Sequence, residues 1–115
     1  MSVQHVFHIV DRSVWEAAVD AGEYRPPSLA AEGFVHLSFA DQVTATAQRH
    51  YRGTPGLVVV EIDPELLDAE VRVEDLAATG DGFPHLYGPI PAGAAVAVYE
   101  LGHHPTAGDW SAGLT

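Results

Sequence analysis

Seven histidines occur in a chain of 115 residues that contains neither cysteine nor lysine. Imidazole is therefore the side chain best placed to act as acid, base or metal ligand near neutral pH. Three of the seven stand within or beside short apolar runs: His8 in VFHIV, His36 in GFVHLS and His85 in FPHLYG. Tyr87 follows His85 by two positions, inside the segment GDGFPHLYGPIPAG. The flanking prolines Pro84, Pro89 and Pro91 restrict that backbone, and His85 and Tyr87 project to one side if it is extended. In GFVHLS, alternation sets Phe34, His36 and Ser38 on one side and Val35 and Leu37 on the other. Imidazoles on neighbouring strands converge when they share a face. Such a set can line a substrate cleft, or form the three-histidine ligand set of some catalytic zinc sites. None of the three has a close ligand spacing such as H-x-x-x-H, so a metal site requires tertiary contact. The third reading is that each imidazole is a core residue bonded to backbone groups.

The other histidines have plainer explanations. His50 falls at a predicted helix end, where an imidazolium complements the terminal carbonyls. His103 and His104 are adjacent in the C-terminal tail, a poor geometry for one metal ion. His5 faces the opposite side of its strand from His8 by alternation. Among carboxylates, Glu61 and Asp63 follow a β-branched run, with Asp63 placed to cap a helical turn. Glu70, Glu74 and Asp75 read as a solvated face. Glu74 is the exception to follow, because the glycine-rich loop after it can fold it back near His85. No G-x-S-x-G nucleophile elbow is present.

Composition removes whole classes of function. The formal net charge is −11, and the only cations are Arg12, Arg25, Arg49, Arg52 and Arg72. General nucleic-acid binding needs clustered cations that displace counterions, so it is not expected. Without lysine there is neither Schiff-base chemistry nor a P-loop. Without cysteine there are no disulfides, thiol nucleophiles or thiolate metal sites. The opening MSVQHVFHIV lacks a basic head and a long apolar run, and no stretch approaches the roughly 20 apolar residues that span a bilayer. A cytoplasmic protein without membrane association is expected.

The elements that must position these residues read as one domain over residues 1–102, followed by a loosely held tail over 103–115. VFHIV is a strand. Ser13 and Glu16 form an S-x-x-E capping box, and Gly22 is a stop, predicting a helix over 13–21. Pro26-Pro27 marks a loop with a helical turn from Ser28. A strand over 33–38 leads to a second helix capped by Ser38, with Val43, Ala47 and His50 on its apolar face. GLVVVEID is an unbroken β-branched run and predicts a central strand. Asp63 and Pro64 open a short turn, and strands follow at EVRVEDL, FPHLYG and 94–101. Helices early and strands late predict an α+β domain, with a mixed, mostly antiparallel sheet and two main helices. No G-x-G-x-x-G follows a strand, so a Rossmann fold is not expected.

VFHIV with His8, Trp15, GEYRPPSLAAEGFVHLS, Gln42, IDP at 62–64, VRVED and FPHLYGPI together resemble the family known as domain of unknown function 952. The likeness covers residues 5–101. It implies a small bacterial α+β domain, grouped by remote similarity with ADP-ribosyltransferase-like folds. On that comparison VFHIV is similar to the first-strand FHG phrase, so His8 would contact the nicotinamide ribose of NAD. GFVHLSFAD is similar to a GIYFAD phrase, which sets His36 near a tyrosine stacked on nicotinamide. The third element, a glutamate on a late strand, is missing from the matching FPHLYG. The resemblance implies a nucleotide or NAD ligand in a cleft lined by His8, His36 and His85. Tyr24 or Tyr87 would pack on the base, Ser28 and Ser38 would supply hydroxyls, and Arg25 would meet a phosphate. Any reaction would be glycosidic cleavage or ribosyl transfer at NAD.

Overall fold

The computed structural model describes residues 4–51, 53–76, 78 and 80–101. Three small antiparallel sheets take the place of the single mixed sheet that the element order predicts. β1 (Val6–Asp11), β4 (Leu57–Ile62) and β8 (Ala95–Glu100) form the first, in the order β1-β4-β8. β3 (Val35–His36), β6 (Phe83–Leu86) and β5 (Val71–Glu74) form the second, in the order β3-β6-β5. β2 (Glu23–Tyr24) and β7 (Ile90–Pro91) make a two-residue ladder that the sequence reading did not foresee. The expected tail over 103–115 lies outside the described residues.

The central strand explains the core. β4 is buried on both faces, which is why LVVVEI is unbroken rather than alternating. Val58, Val60 and Ile62 join Val6, Val10, Trp15, Val35, Leu86 and Ile90 in one apolar cluster. Leu57 and Val59 join Phe7, Ile9, Val43 and Ala47 in a second cluster on the other face. Helix α1 (Arg12–Ala21) covers the first face through Trp15 and Ala18. Helix α3 (Val43–His50) covers the second through Val43 and Ala47, while His50 is exposed, outside its predicted apolar face.

Two capping expectations are corrected. Asp11, not Ser13, caps α1: its carboxylate accepts from the Ser13 and Val14 backbone amides at 2.9 and 3.3 Å. Asp11 comes first because β1 runs straight into the helix and leaves no loop for a later cap. Gly22 does end α1, in a left-handed conformation with φ 93° that spares a Cβ clash. Ser38 caps nothing. Its backbone pairs with Phe7, and its buried hydroxyl lies 3.3 Å from that of Thr46. A 3-10 turn (Ala40–Gln42) leads into α3 instead, and the side chain of Gln42 accepts from the Phe39 amide at 2.9 Å. The same Gln42 donates to the Gly82 carbonyl at 2.8 Å, tying this turn to the start of β6. A Gln42→Ala variant loses both bonds, and its denaturant midpoint is expected to reflect a loss of about 1–2 kcal/mol. The helix at Pro27–Glu32, α2, begins one residue earlier than the turn expected from Ser28. Pro27 is at home in a first turn, where its missing N–H has no partner to lose.

After β6 the chain passes Gly88 on its way to β7. A Cβ at Gly88 would stand 2.5 Å from the Cβ of Ala69, closer than real Cβ atoms approach. This crossing lets Tyr87 N donate to the Glu70 carbonyl at 2.9 Å. The rigid segment is therefore clamped against the chain leading into β5.

Candidate functional site

The two three-stranded sheets meet at one backbone rung, where Phe7 and Ser38 exchange N–H···O bonds of 2.8 Å. In an antiparallel ladder, the next hydrogen-bonded pair beyond Phe7–Ser38 would join Ile9 to His36. The strands part before that rung forms. The His36 carbonyl accepts from His8 Nδ1 at 2.8 Å instead. A side chain thus satisfies the carbonyl that the split leaves open. That bond requires the proton on Nδ1, so His8 Nε2 carries its lone pair outward from the bond. Burial of the half-buried ring, aided by the nearby charge of His36, lowers its pKa from 6.5 to about 4. His8 is therefore a neutral acceptor at physiological pH, not a cation for a phosphate. Tyr24, held by its pairing with Ile90, sets its ring 5.4 Å from that of His8. Trp15 backs Tyr24 edge-on at 6.1 Å. Burial raises the pKa of the Tyr24 phenol.

On the second sheet, His36 and His85 are directly opposite across β3 and β6. Because the backbone groups of His36 turn toward β1, the pair lacks ladder hydrogen bonds, the type whose side chains stand closer. Their rings are 5.5 Å apart. Phe34 sits among them, with ring centroids 4.9 Å from His36, 4.3 Å from His85 and 5.4 Å from Tyr87. His36 is exposed, and its Nε2 lies 3.2 Å from Glu32. His85 is only 5% exposed.

Glu74 reaches this group. Its Oε1 accepts from the Tyr87 hydroxyl at 2.6 Å and from His85 Nδ1 at 3.0 Å. The Tyr87 and His85 hydrogen bonds, in that order, hold the Glu74 carboxyl below its usual range, and Glu74 in turn raises the Tyr87 phenol. The Arg72 guanidinium covers the Tyr87 ring at 4.5 Å while pairing with Glu70 at 3.1 Å. The solvated-face reading thus holds for Glu70, whose side chain is 63% exposed, but not for Glu74, at 25%.

The predicted site residues divide accordingly. His8 and Tyr24 stand together at the split, joined through the His36 backbone to a cluster of His36, His85 and Tyr87. Ser38 is turned into the protein against α3. Arg25 is paired with Glu23, and Ser28 lies in the first turn of α2. Among the described residues, no three histidines or carboxylates gather to hold a metal ion. A hollow of about 370 Å³ lies elsewhere, between α1 and the β4–β8 pair, and none of the predicted site residues lines it.

Two features escaped the sequence reading. Phe34 is the ring around which the second cluster packs. A second carboxylate also repeats the arrangement of Glu74: Glu61 accepts from the Tyr99 hydroxyl at 2.5 Å and from His5 Nδ1 at 2.6 Å. Partial burial opposes ionisation of Glu61, but the Tyr99 and His5 bonds prevail and hold its carboxyl below the usual range. Alternation places His5 away from His8, but only the register of β4 against β1 and β8 brings Glu61 to His5 and Tyr99.

The same architecture recurs in solved structures. The crystal structure of protein CC0527 from Caulobacter crescentus is 29% identical, with a TM-score of 0.77 over 94% of this chain and 98% of that one. A double mutant of that protein matches at 28% identity and TM-score 0.73, over the same shares of both chains. Its solution structure matches at 29% and 0.70, over 86% of this chain and 85% of that one. No curated protein matches the chain. The family model described as protein of unknown function (DUF952) matches residues 9–98, and the chain belongs to that family.

Proposed function

We propose that the chain binds NAD or a related nucleotide where β1 and β3 part. In this reading His8 Nε2 accepts a ribose hydroxyl and Tyr24 packs on the adjoining ring. His36 forms the exposed side of the second wall. The observation that carries the reading is the position of Glu74. An ADP-ribosyltransferase-like site calls for a carboxylate beside its histidines, and FPHLYG has none. Glu74 supplies one from the neighbouring strand, with its charge maintained by Tyr87 and His85. His85, being enclosed, acts by positioning Glu74 rather than by touching ligand. If the site is catalytic, the bond between ribose C1′ and the nicotinamide nitrogen breaks, and nicotinamide leaves with the electron pair. The ionised carboxylate then stabilises the cationic ribosyl group until a nucleophile adds to C1′.

Calorimetric titration with NAD, ADP-ribose and nucleoside phosphates tests the proposal. Saturable heat is expected, with affinity falling about tenfold or more in His8→Ala, the equivalent of about 1.4 kcal/mol. The burial of His85 and Ser38 favours a second reading, a non-enzymatic domain whose histidines and Tyr87 are structural. Neither heat nor thermal shift with any of these ligands decides for that second reading.

A further inference from the structure

The split between β1 and β3 presents an acceptor beside an aromatic face, His8 Nε2 and the Tyr24 ring, and little positive charge. The ion pairs around it and its neighbouring cluster set four carboxylates, Glu23, Glu32, Glu70 and Glu74, against two guanidiniums, those of Arg25 and Arg72. Neither arginine is placed to receive a phosphate there. Arg25 pairs with Glu23. The two flank Tyr24, and in extended chain the neighbours of a residue project to the side opposite its own. Arg25 therefore faces away from the side on which Tyr24 meets His8. Arg72 is held by Glu70 at 3.1 Å, with its guanidinium over the Tyr87 ring. Of the other described arginines, Arg12 pairs with Glu100 across α1 and β8, and Arg49 lies in the last turn of α3. Glu32, by contrast, stands on the exposed wall, 3.2 Å from His36 Nε2 and with its side chain 50% exposed.

We infer, resting on the nucleotide reading above, that this site takes a cationic N-ribosyl base, a pyridinium nucleoside, and discriminates against its 5′-phosphate esters. The charged ring lies on the Tyr24 face, where the aromatic quadrupole attracts a cation. Glu74 and Glu32 supply the countercharge, and a ribose hydroxyl reaches His8 Nε2. A phosphate dianion enters a field that is already negative, on a chain of net charge −11, with no described arginine turned toward it.

The test is calorimetric titration of the full chain with nicotinamide riboside, nicotinamide mononucleotide, NAD and the dihydro riboside, whose ring is neutral. The cationic riboside is expected to bind at least about tenfold tighter than the mononucleotide and than the dihydro form. Raising the salt concentration is expected to shrink both preferences. Glu74→Gln is expected to reduce the preference over the dihydro form. Glu32→Gln alters an exposed side chain and is expected to narrow the gap to the mononucleotide, so it decides the matter if the first variant fails to fold. Mononucleotide or NAD binding as tightly as the riboside, or equal affinity for the dihydro form, overturns the inference and leaves the nucleotide reading standing. Preferences that are insensitive to salt, or unchanged in a folded variant, also overturn it. Heat with none of the four ligands overturns both.

Discussion

Between pH 6.5 and about 4, His8 is expected to remove about 3 kcal/mol of folding stability as acid is added. In the unfolded chain its imidazole takes up a proton near pH 6.5. In the folded protein burial delays protonation to about 4. The unfolded state therefore binds more protons within this window, and falling pH favours unfolding; above 6.5 both states are neutral and the full stability is kept. Glu61 and Glu74, both held below the usual carboxylate range, add their own losses only at the acid end. Urea unfolding at half-unit pH steps, comparing the wild type with His8→Gln, isolates the contribution. The variant should show a shallower slope over pH 4.5–6.5. Parallel curves would remove the case for a neutral His8 enforced by burial.

Gly88→Ala should be the most damaging single methyl addition in the segment that carries His85 and Tyr87. The added carbon falls 2.5 Å from the Ala69 Cβ, which has no rotamer with which to withdraw. Backbone must move, and overpacking of this kind costs about 1–3 kcal/mol. The movement acts directly on the bond from Tyr87 N to the Glu70 carbonyl, one residue away. Gly93→Ala is the control, since a Cβ there meets nothing within 4 Å. Ala69→Gly should restore part of the stability lost by Gly88→Ala and little elsewhere, a coupling that denaturant midpoints would detect. A Gly88→Ala variant within about 0.5 kcal/mol of wild type would mean that the crossing is not tight.

The parts of the fold legible in sequence were those set by local chemistry. The β-branched run at 56–63 announced a central strand, and Gly22 announced the end of α1. Alternation in FPHLYG correctly placed His85 and Tyr87 on one side, as their shared partner Glu74 shows. What failed depended on partners distant in the chain. Ser38 has the composition of a helix cap, yet pairing with Phe7 claims its backbone and carries it away from the helix start. The two-residue ladder of Glu23–Tyr24 with Ile90–Pro91 is too short to produce a period. Glu74 was visible as a candidate only because a glycine-rich stretch follows it in the sequence. Its commitment to His85 and Tyr87 rests on the β5–β6 register, in which Arg72 faces His85 and Glu74 faces Phe83. Glu61 gave no such hint, because a lone acid in an apolar strand reads as its solvent-facing end.

The single rung between Phe7 and Ser38 has a mechanical consequence. Apart from it and the bond from His8 to the His36 carbonyl, the described residues show no hydrogen bond between the β1 and β3 strands. Resistance to prying the two sheets apart at this seam is therefore concentrated at one point, and the remainder is borne by apolar contact, which yields gradually. His8 sits beside that pivot and holds its carbonyl. Protonation leaves Nδ1–H able to donate but makes the half-buried ring costly to keep in place. In this protein, acid would loosen a hinge before it melted a sheet.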